Sequence, residues 1–202
     1  MNRSIVLASG SPRRKALLED LGLSIDVRVS HAEEISDGSP EEVVAHNARI
    51  KCESIAADAR KNEIVIAADT IVVHEGTILG KPESLDEARS MLRRLSGDTH
   101  EVKTGVHIYD AASDRYQEGI ETTSVTFRDL PDRDIDLFVD IVKPTDRAGA
   151  YTVDGPGSLI VSRYAGCYYN VLGLPLVLLH TLLLDVGFDF FDVIEPEKAR
   201  FL

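Results

Sequence analysis

The chain is predicted to fold as an α/β protein with a mixed β-sheet flanked by helices. Apolar strand patterns alternate with helix patterns along the sequence, which points to helices layered on a sheet. Two long strands, Thr99–Tyr109 and Arg115–Arg128, flank a turn at Asp110–Asp114, and this hairpin block argues against an all-parallel sheet. The 202 residues, 44% of them hydrophobic, suffice for one buried core. A single domain over residues 1–202 is expected, either simple or with two lobes around a central cleft.

The elements follow from local signals. The first strand, around Ile5–Ala8, breaks at Ser9-Gly10-Ser11; Ser11 reads as a helix N-cap, Pro12 as the first helical residue and Gly22 as the stop. Ser24–Ser30 alternates in strand fashion through Ile25, Val27 and Val29. Ser39-Pro40-Glu41-Glu42 is a capping box that opens a helix to about Ala59. Glu63–Ala68 is an apolar run ending at Asp69-Thr70, and Ile71–Val73 resumes it. His74-Glu75-Gly76 then turns the chain into a short strand, Thr77–Leu79. A second capping box, Ser84-Leu85-Asp86-Glu87, starts a helix that stops at Gly97. After the hairpin, Leu130-Pro131 opens a helix to about Val142. Tyr151–Val153 and Ser158–Val161 read as short strands around Asp154-Gly155-Pro156-Gly157, and Leu174–Val186 as the last helix. The sequence shows no repeat, low-complexity tract or linker.

Composition removes several classes of function. With 34 acidic residues against 22 basic ones the net charge is −12, which argues against nucleic-acid or anionic-membrane binding. An anionic ligand needs a local basic cluster instead. The N-terminus reads as a strand and a charged helix rather than a signal peptide. The longest apolar stretch, Leu174–Leu184, is shorter than the ~20 residues of a membrane span and is interrupted by Pro175 and His180. Cys52 and Cys167 lack CxxC spacing, as expected of reduced cysteines in a cytoplasmic protein.

Chemistry concentrates in a few places. Arg13, Arg14 and Lys15 occupy the first turn of a helix, the end that already carries partial positive charge. A charge run is usually solvated surface. Here the strand–turn–helix context gathers backbone N–H groups, the Ser9 and Ser11 hydroxyls and two guanidinium forks, which together form a phosphate pocket. It is not a Walker A loop: Gly76–Lys81 comes near but is one residue short and runs into Pro82. Gly155-Pro156-Gly157 lacks the third glycine of a dinucleotide fingerprint. Lys51 shares a helix face with Val44, Ala48 and Ile55, so it either snorkels to the rim or points into a polar pocket. Asp69 is expected at the end of a buried strand, where open α/β sheets bind ligands. A carboxylate there can hold a divalent metal, accept a proton from water, or simply close a turn. Lys81, in a stiff loop between Gly80 and Pro82, and Glu34, in an acidic loop, carry little signal alone. The six histidines show no zinc spacing, and neither HExxH nor G-x-S-x-G occurs, so zinc and serine hydrolases are disfavoured.

Taken in order, these motifs resemble the Maf family of nucleotide pyrophosphatases over nearly the whole chain. The resemblance rests on Leu7-Ala8-Ser9-Gly10-Ser11-Pro12-Arg13-Arg14, on Ala68-Asp69-Thr70-Ile71-Val72 and on Gly80-Lys81-Pro82. Met91–Gly97, Thr99–Val102, Lys143-Pro144, Ala148–Tyr151 and Asn170–Pro175 continue it. It implies a Maf/ITPase-like fold and hydrolysis of nucleoside triphosphates, dTTP and UTP, to the monophosphate and pyrophosphate. It also implies a divalent cation (Mg2+ or Mn2+), a house-cleaning role towards modified nucleotides, and a homodimer. By motif position, Asp69 matches the family's proton acceptor, and Asp69 with Glu34 matches the metal-facing acids. Ser9, Arg13, Arg14, Lys51 and Lys81 match its phosphate-handling residues, and Arg13, Thr70 and Asp154 its base-choice positions. The dTTP/UTP branch carries glutamine where this chain has Asp154, and a carboxylate lacks the amide donor. Two rival readings are a pyrophosphatase of other base preference (7-methyl-GTP or a broad range) and a non-enzymatic nucleotide-binding regulator of cell division.

Overall fold

In a computed structural model of the chain, which describes residues 3–200, the strands form one mixed sheet. In chain order the strands are β1 (Ser4–Leu7), β2 (Ile25–Val27), β3 (Glu63–His74), β4 (Thr77–Leu79), β5 (Thr99–Asp110), β6 (Arg115–Phe127) and β7 (Val161–Ala165). The helices are α1 (Pro12–Asp20), α2 (Pro40–Ala56), α3 (Leu85–Leu95), α4 (Asp132–Val142), α5 (Tyr168–Val171) and α6 (Leu176–Asp185). The sheet order is β2-β1-β3-β5-β6-β7, with β4 paired to β3. The β1–β2 and β1–β3 pairs are parallel, whereas β3–β4 and β6–β7 are antiparallel. The mixed sheet expected from the central hairpin is therefore present.

The chain divides into two compact units. The first comprises residues 1–69, 104–121 and 173–202; the second comprises 70–103 and 122–172. In the first, the parity of β1 and β3 sorts residues onto two buried faces. Ile5, Leu7, Ile64, Ile66 and Ala68 pack with Leu18 of α1 and Leu179 and Leu183 of α6. Val6, Ala8, Val65 and Ala67 pack with Cys52 of α2. Cover on both faces is why these strands read as unbroken apolar runs instead of alternating ones. In the second unit α3 and α4 contribute Ala88, Leu92, Leu95, Ile135, Phe138 and Val139 to a core with Val72, Val102, Val125, Phe127 and Tyr151.

The capping signals hold in detail. Ser11 accepts from Arg14 N with Pro12 opening α1, and Gly22 takes the left-handed φ of +84° that ends it. At α2 the Ser39–Glu42 capping box closes in both directions. The β3–β4 turn places Glu75 and Gly76 at φ +49° and +74°, the signature of a tight two-residue hairpin.

Five expectations need correction. Asp69 does not end a strand: β3 runs unbroken from Glu63 to His74, because neighbouring side chains satisfy the Asp69 carboxylate in place. The second capping box closes on one side only, since the Glu87 carboxylate accepts from Glu83 N while Ser84 caps Glu87 N. Tyr151–Val153 forms no strand. Gly149 and Ala150 sit at positive φ just before it, and Gly157 N donates to Asp154 O just after it, so the segment is bounded by turns. Ser158 lies in a 3-10 turn over Gly155–Leu159, and the strand begins only at Val161. Pro175 caps the last helix, which starts at Leu176 and stops at Asp185.

Candidate functional site

Asp69 follows the parity of β3. It lies on the same face as Val65 and Ala67, the face covered by α2. The sheet-facing stripe of α2 passes through Val44, Asn47, Ala48, Lys51, Cys52 and Ile55 at helical spacing. Cys52 packs over Val65 and Ala67, with its thiol 3.8 Å from Val65 O. Towards the helix N-terminus the stripe turns polar where it meets Asp69. Lys51 Nζ donates to Asp69 Oδ1 at 2.7 Å and lies 2.8 Å from Glu34 Oε2. The Lys51 side chain is 13% exposed, so it points into a polar pocket rather than snorkelling. Asn47 Nδ2 donates to the second oxygen, Asp69 Oδ2, at 3.2 Å.

The Ser9 turn belongs to the same unit. Buried Ser9 accepts from Ser11 N at 3.2 Å and from Arg14 Nη1 at 3.2 Å. Arg14 Nε donates to Gly173 O at 2.7 Å. Loss of solvent pushes the Arg14 guanidinium below its usual pKa, and the Asp69 charge opposes that shift. Arg13 lowers it further, whereas Glu34 raises it. Arg14 therefore sits in the field of both carboxylates. The three cations of the first turn separate by environment. Arg14 is turned inward, Arg13 is half-buried, and Lys15 pairs with Glu19 at 3.0 Å on the solvated side of α1. Only Lys15 matches the solvated-surface reading.

Of the residues singled out in the sequence, Ser9, Arg14, Glu34, Lys51 and Asp69 are thus linked by hydrogen bonds, ion pairs and electrostatic interaction. Thr70, Lys81 and Asp154 belong to the second unit. There the Gly80–Lys81 loop is pinned by Gly149 N donating to Gly80 O at 3.0 Å, and Gly149 packs against Val72. Asp154 accepts from the Thr152 hydroxyl and lies 3.8 Å from Arg147 Nη1. Sequence reasoning passed over Asn47. Its spacing four residues before Lys51 on the same stripe was the available signal.

Among the described residues no group of three or more His, Cys, Asp or Glu side chains is placed to hold a metal ion. Asp69 and Glu34, both within 2.8 Å of one nitrogen, are two carboxylates held together by one ammonium. That donor set fits a hard divalent ion, which takes one or two carboxylates and completes its shell with water and phosphate oxygens. In the described residues no helix is long and apolar enough to cross a membrane, and both cysteines are free thiols.

Comparison with known proteins gives a consistent result. A family described as "Maf-like protein" matches residues 4–186. A dTTP/UTP pyrophosphatase of Dictyoglomus thermophilum is 41% identical over 192 residues, covering 94% of this chain and 99% of the relative. A dTTP/UTP pyrophosphatase of Bacillus anthracis is 46% identical over 176 residues, covering 86% and 91%. Among solved structures, the Ham1 protein of Staphylococcus aureus aligns at a TM-score of 0.45 with 17% identity, covering 63% of this chain and 73% of that one.

Proposed function

The chain belongs to the Maf family, and from that membership and the carboxylate–cation cluster around Asp69 we propose that it is a nucleoside triphosphate pyrophosphatase. Its substrates on this reading are dTTP and UTP, cleaved between the α- and β-phosphates to the monophosphate and pyrophosphate. The observation that carries the reading is the pairing of Asp69 with Lys51 on the buried face beneath α2, with Arg14 in the same field.

Each side chain has a task in that reaction. Arg14, braced by Ser9 and Gly173, holds a fixed positive charge where loss of water strengthens its pull on phosphate oxygens. Lys51, now between two carboxylates, exchanges those partners for phosphate when the triphosphate enters. Arg13 and Lys81 add positive charge for the phosphates, and the Ser9-Gly10-Ser11 turn adds N–H and hydroxyl donors. Phosphoryl transfer is served mostly by positioning and electrostatics of this kind. Asp69 Oδ1, released from Lys51, accepts the proton of the water that attacks the α-phosphorus. Asp69 and Glu34 would hold a divalent cation, Mg2+ or Mn2+, whose charge would neutralise the phosphate oxygens.

Base choice falls to Arg13, Thr70 and Asp154. The Asp154 carboxylate accepts and never donates. It therefore suits a base N–H, such as the N3–H of thymine and uracil, in place of a base carbonyl. Guanine also offers N–H donors, and this keeps a 7-methyl-GTP or broad-range preference as the competing specificity. The two free cysteines support a cytoplasmic setting. A panel of triphosphates assayed for released pyrophosphate and orthophosphate tests the whole reading. Pyrophosphate from dTTP and UTP ahead of purine nucleotides is expected; orthophosphate as product, or no turnover, overturns it.

A further inference from the structure

The geometry points to Asn47 as a positioning residue that locks the Asp69 carboxylate and ties it to the segment carrying Glu34. The inference rests on the reading of Asp69 as the proton acceptor.

Asn47 is 3% exposed on a stripe of α2 that is otherwise apolar apart from Lys51. A buried amide is unfavourable unless its donors and acceptor are met. Here they are all met. Asn47 Oδ1 accepts from Ile35 N at 2.9 Å, and Nδ2 donates to Ile35 O at 3.0 Å. The remaining Nδ2 hydrogen goes to Asp69 Oδ2 at 3.2 Å. The amide therefore has one workable orientation, because a flip sets its oxygen against both Ile35 O and the Asp69 carboxylate.

The two-sided bond to Ile35 resembles a single rung of strand pairing, and Ile35 is the residue after Glu34. Anchoring that backbone would need only the oxygen and one hydrogen of the amide. The second hydrogen fixes one Asp69 oxygen and leaves the other, Oδ1, directed at Lys51 Nζ. One side chain thus sets the rotation of Asp69 and the height of the segment that delivers Glu34. Arg14, which serves the phosphates, has other anchors, since it is held by Ser9 and Gly173. Loss of Asn47 should accordingly touch turnover far more than nucleotide binding.

Two variants of the full chain test this, assayed by pyrophosphate released from dTTP with Mg2+. Asn47→Leu keeps size and removes all three bonds. Asn47→Asp keeps size and the acceptor for Ile35 N but removes both donors. Each is expected to lower kcat by about 10- to 100-fold, the range seen when groups that orient a ligating side chain are removed, with KM within about threefold. Circular dichroism establishes that a variant has folded, and Asn47→Asp carries the test if Asn47→Leu does not fold. In an Asp69→Asn background, adding Asn47→Leu or Asn47→Asp should cost far less kcat than it does in the wild-type background, because its hold on the Asp69 carboxylate is already lost and only its hold on the Glu34 segment remains. Unchanged kcat in a folded Asn47 variant overturns the inference while leaving Asp69's role intact. A full additional loss on top of Asp69→Asn also overturns it, by placing Asn47's action elsewhere. Full activity in Asp69→Asn alone overturns the reading of Asp69 and this inference with it.

Discussion

Gly105→Ala is a one-methyl change that should reach the candidate site around Asp69 through the helix that covers it. Gly105 lies on β5, where a Cβ would meet the backbone of α2: Val44 C at 2.6 Å and Ala45 N at 3.1 Å, with Val44 O closer still. The nearest approach is roughly 1 Å tighter than unbonded atoms tolerate. The obstacle is main chain inside a 17-residue helix, so no rotamer change relieves it. Either α2 or β5 must shift by an amount of that order. Overpacking of this kind costs about 1–3 kcal/mol. At 2–4 °C per kcal/mol for a chain of this length, the melting temperature should fall by about 4–8 °C for a 2 kcal/mol loss. The same helix carries Asn47 and Lys51 onto Asp69, and a displacement near 1 Å at reacting groups can cost as much as ~100-fold in rate. Gly119→Ala is the control within the same unit. Its Cβ would meet only the side-chain end of Leu178, at 2.9 Å from Cδ1, and that side chain can turn aside at a cost within about 1 kcal/mol. Thermal unfolding and steady-state pyrophosphate release on both variants provide the comparison. Wild-type stability and activity in Gly105→Ala would refute the close approach of α2 to β5 on which this reasoning depends.

Two more predictions concern single side chains. Arg14→Lys should raise KM for the nucleotide by about tenfold or more, because an ammonium cannot reproduce guanidinium bonds to Gly173 O and Ser9 Oγ while still facing phosphate; an unchanged KM in titrations against dTTP would contradict it. His100 is buried against Phe127 and accepts or donates one bond with the Tyr151 hydroxyl at 2.8 Å; burial, with a smaller contribution from His74 against Asp98, depresses its pKa to about 4. The unfolded chain binds that proton near the ordinary value of about 6.5, so the native state loses stability as pH falls from there to about 4, by up to about 3 kcal/mol. Denaturant unfolding from pH 7 to 4 should show this slope reduced in His100→Gln, and equal slopes in the two proteins would refute it.

Much of the framework was legible because the signals were local. Ser11-Pro12 and the Ser39–Glu42 box use short-range geometry that tertiary packing did not override. The β3–β4 turn was equally local, since Glu75-Gly76 takes the positive φ values of a tight hairpin. Failures came where a distant partner decided the outcome. An acid inside an apolar run reads as a strand end, and only α2, supplying Lys51 and Asn47, lets β3 continue through Asp69. The apolar residues of Tyr151–Val153 read as a strand, but turns on either side occupy the backbone. Lys51 was open between two readings from spacing alone. The choice depended on which β3 side chain met it on the sheet face beneath α2, which periodicity does not encode. Asn47 was missed for the same reason: an amide on an apolar stripe has meaning only once Ile35 and Asp69 are seen at its two ends.

The central claim is that Asp69 performs the chemistry while the cations hold the nucleotide. Asp69→Asn separates the two most directly, with pyrophosphate release measured beside dTTP binding by calorimetry. The substitution keeps the shape of the side chain and removes its capacity to accept a proton. Turnover should fall by about 100- to 10,000-fold, the span of general-base contributions, with the dissociation constant within about threefold of wild type. A variant that keeps wild-type turnover, or one that loses binding in proportion to activity, would contradict the account.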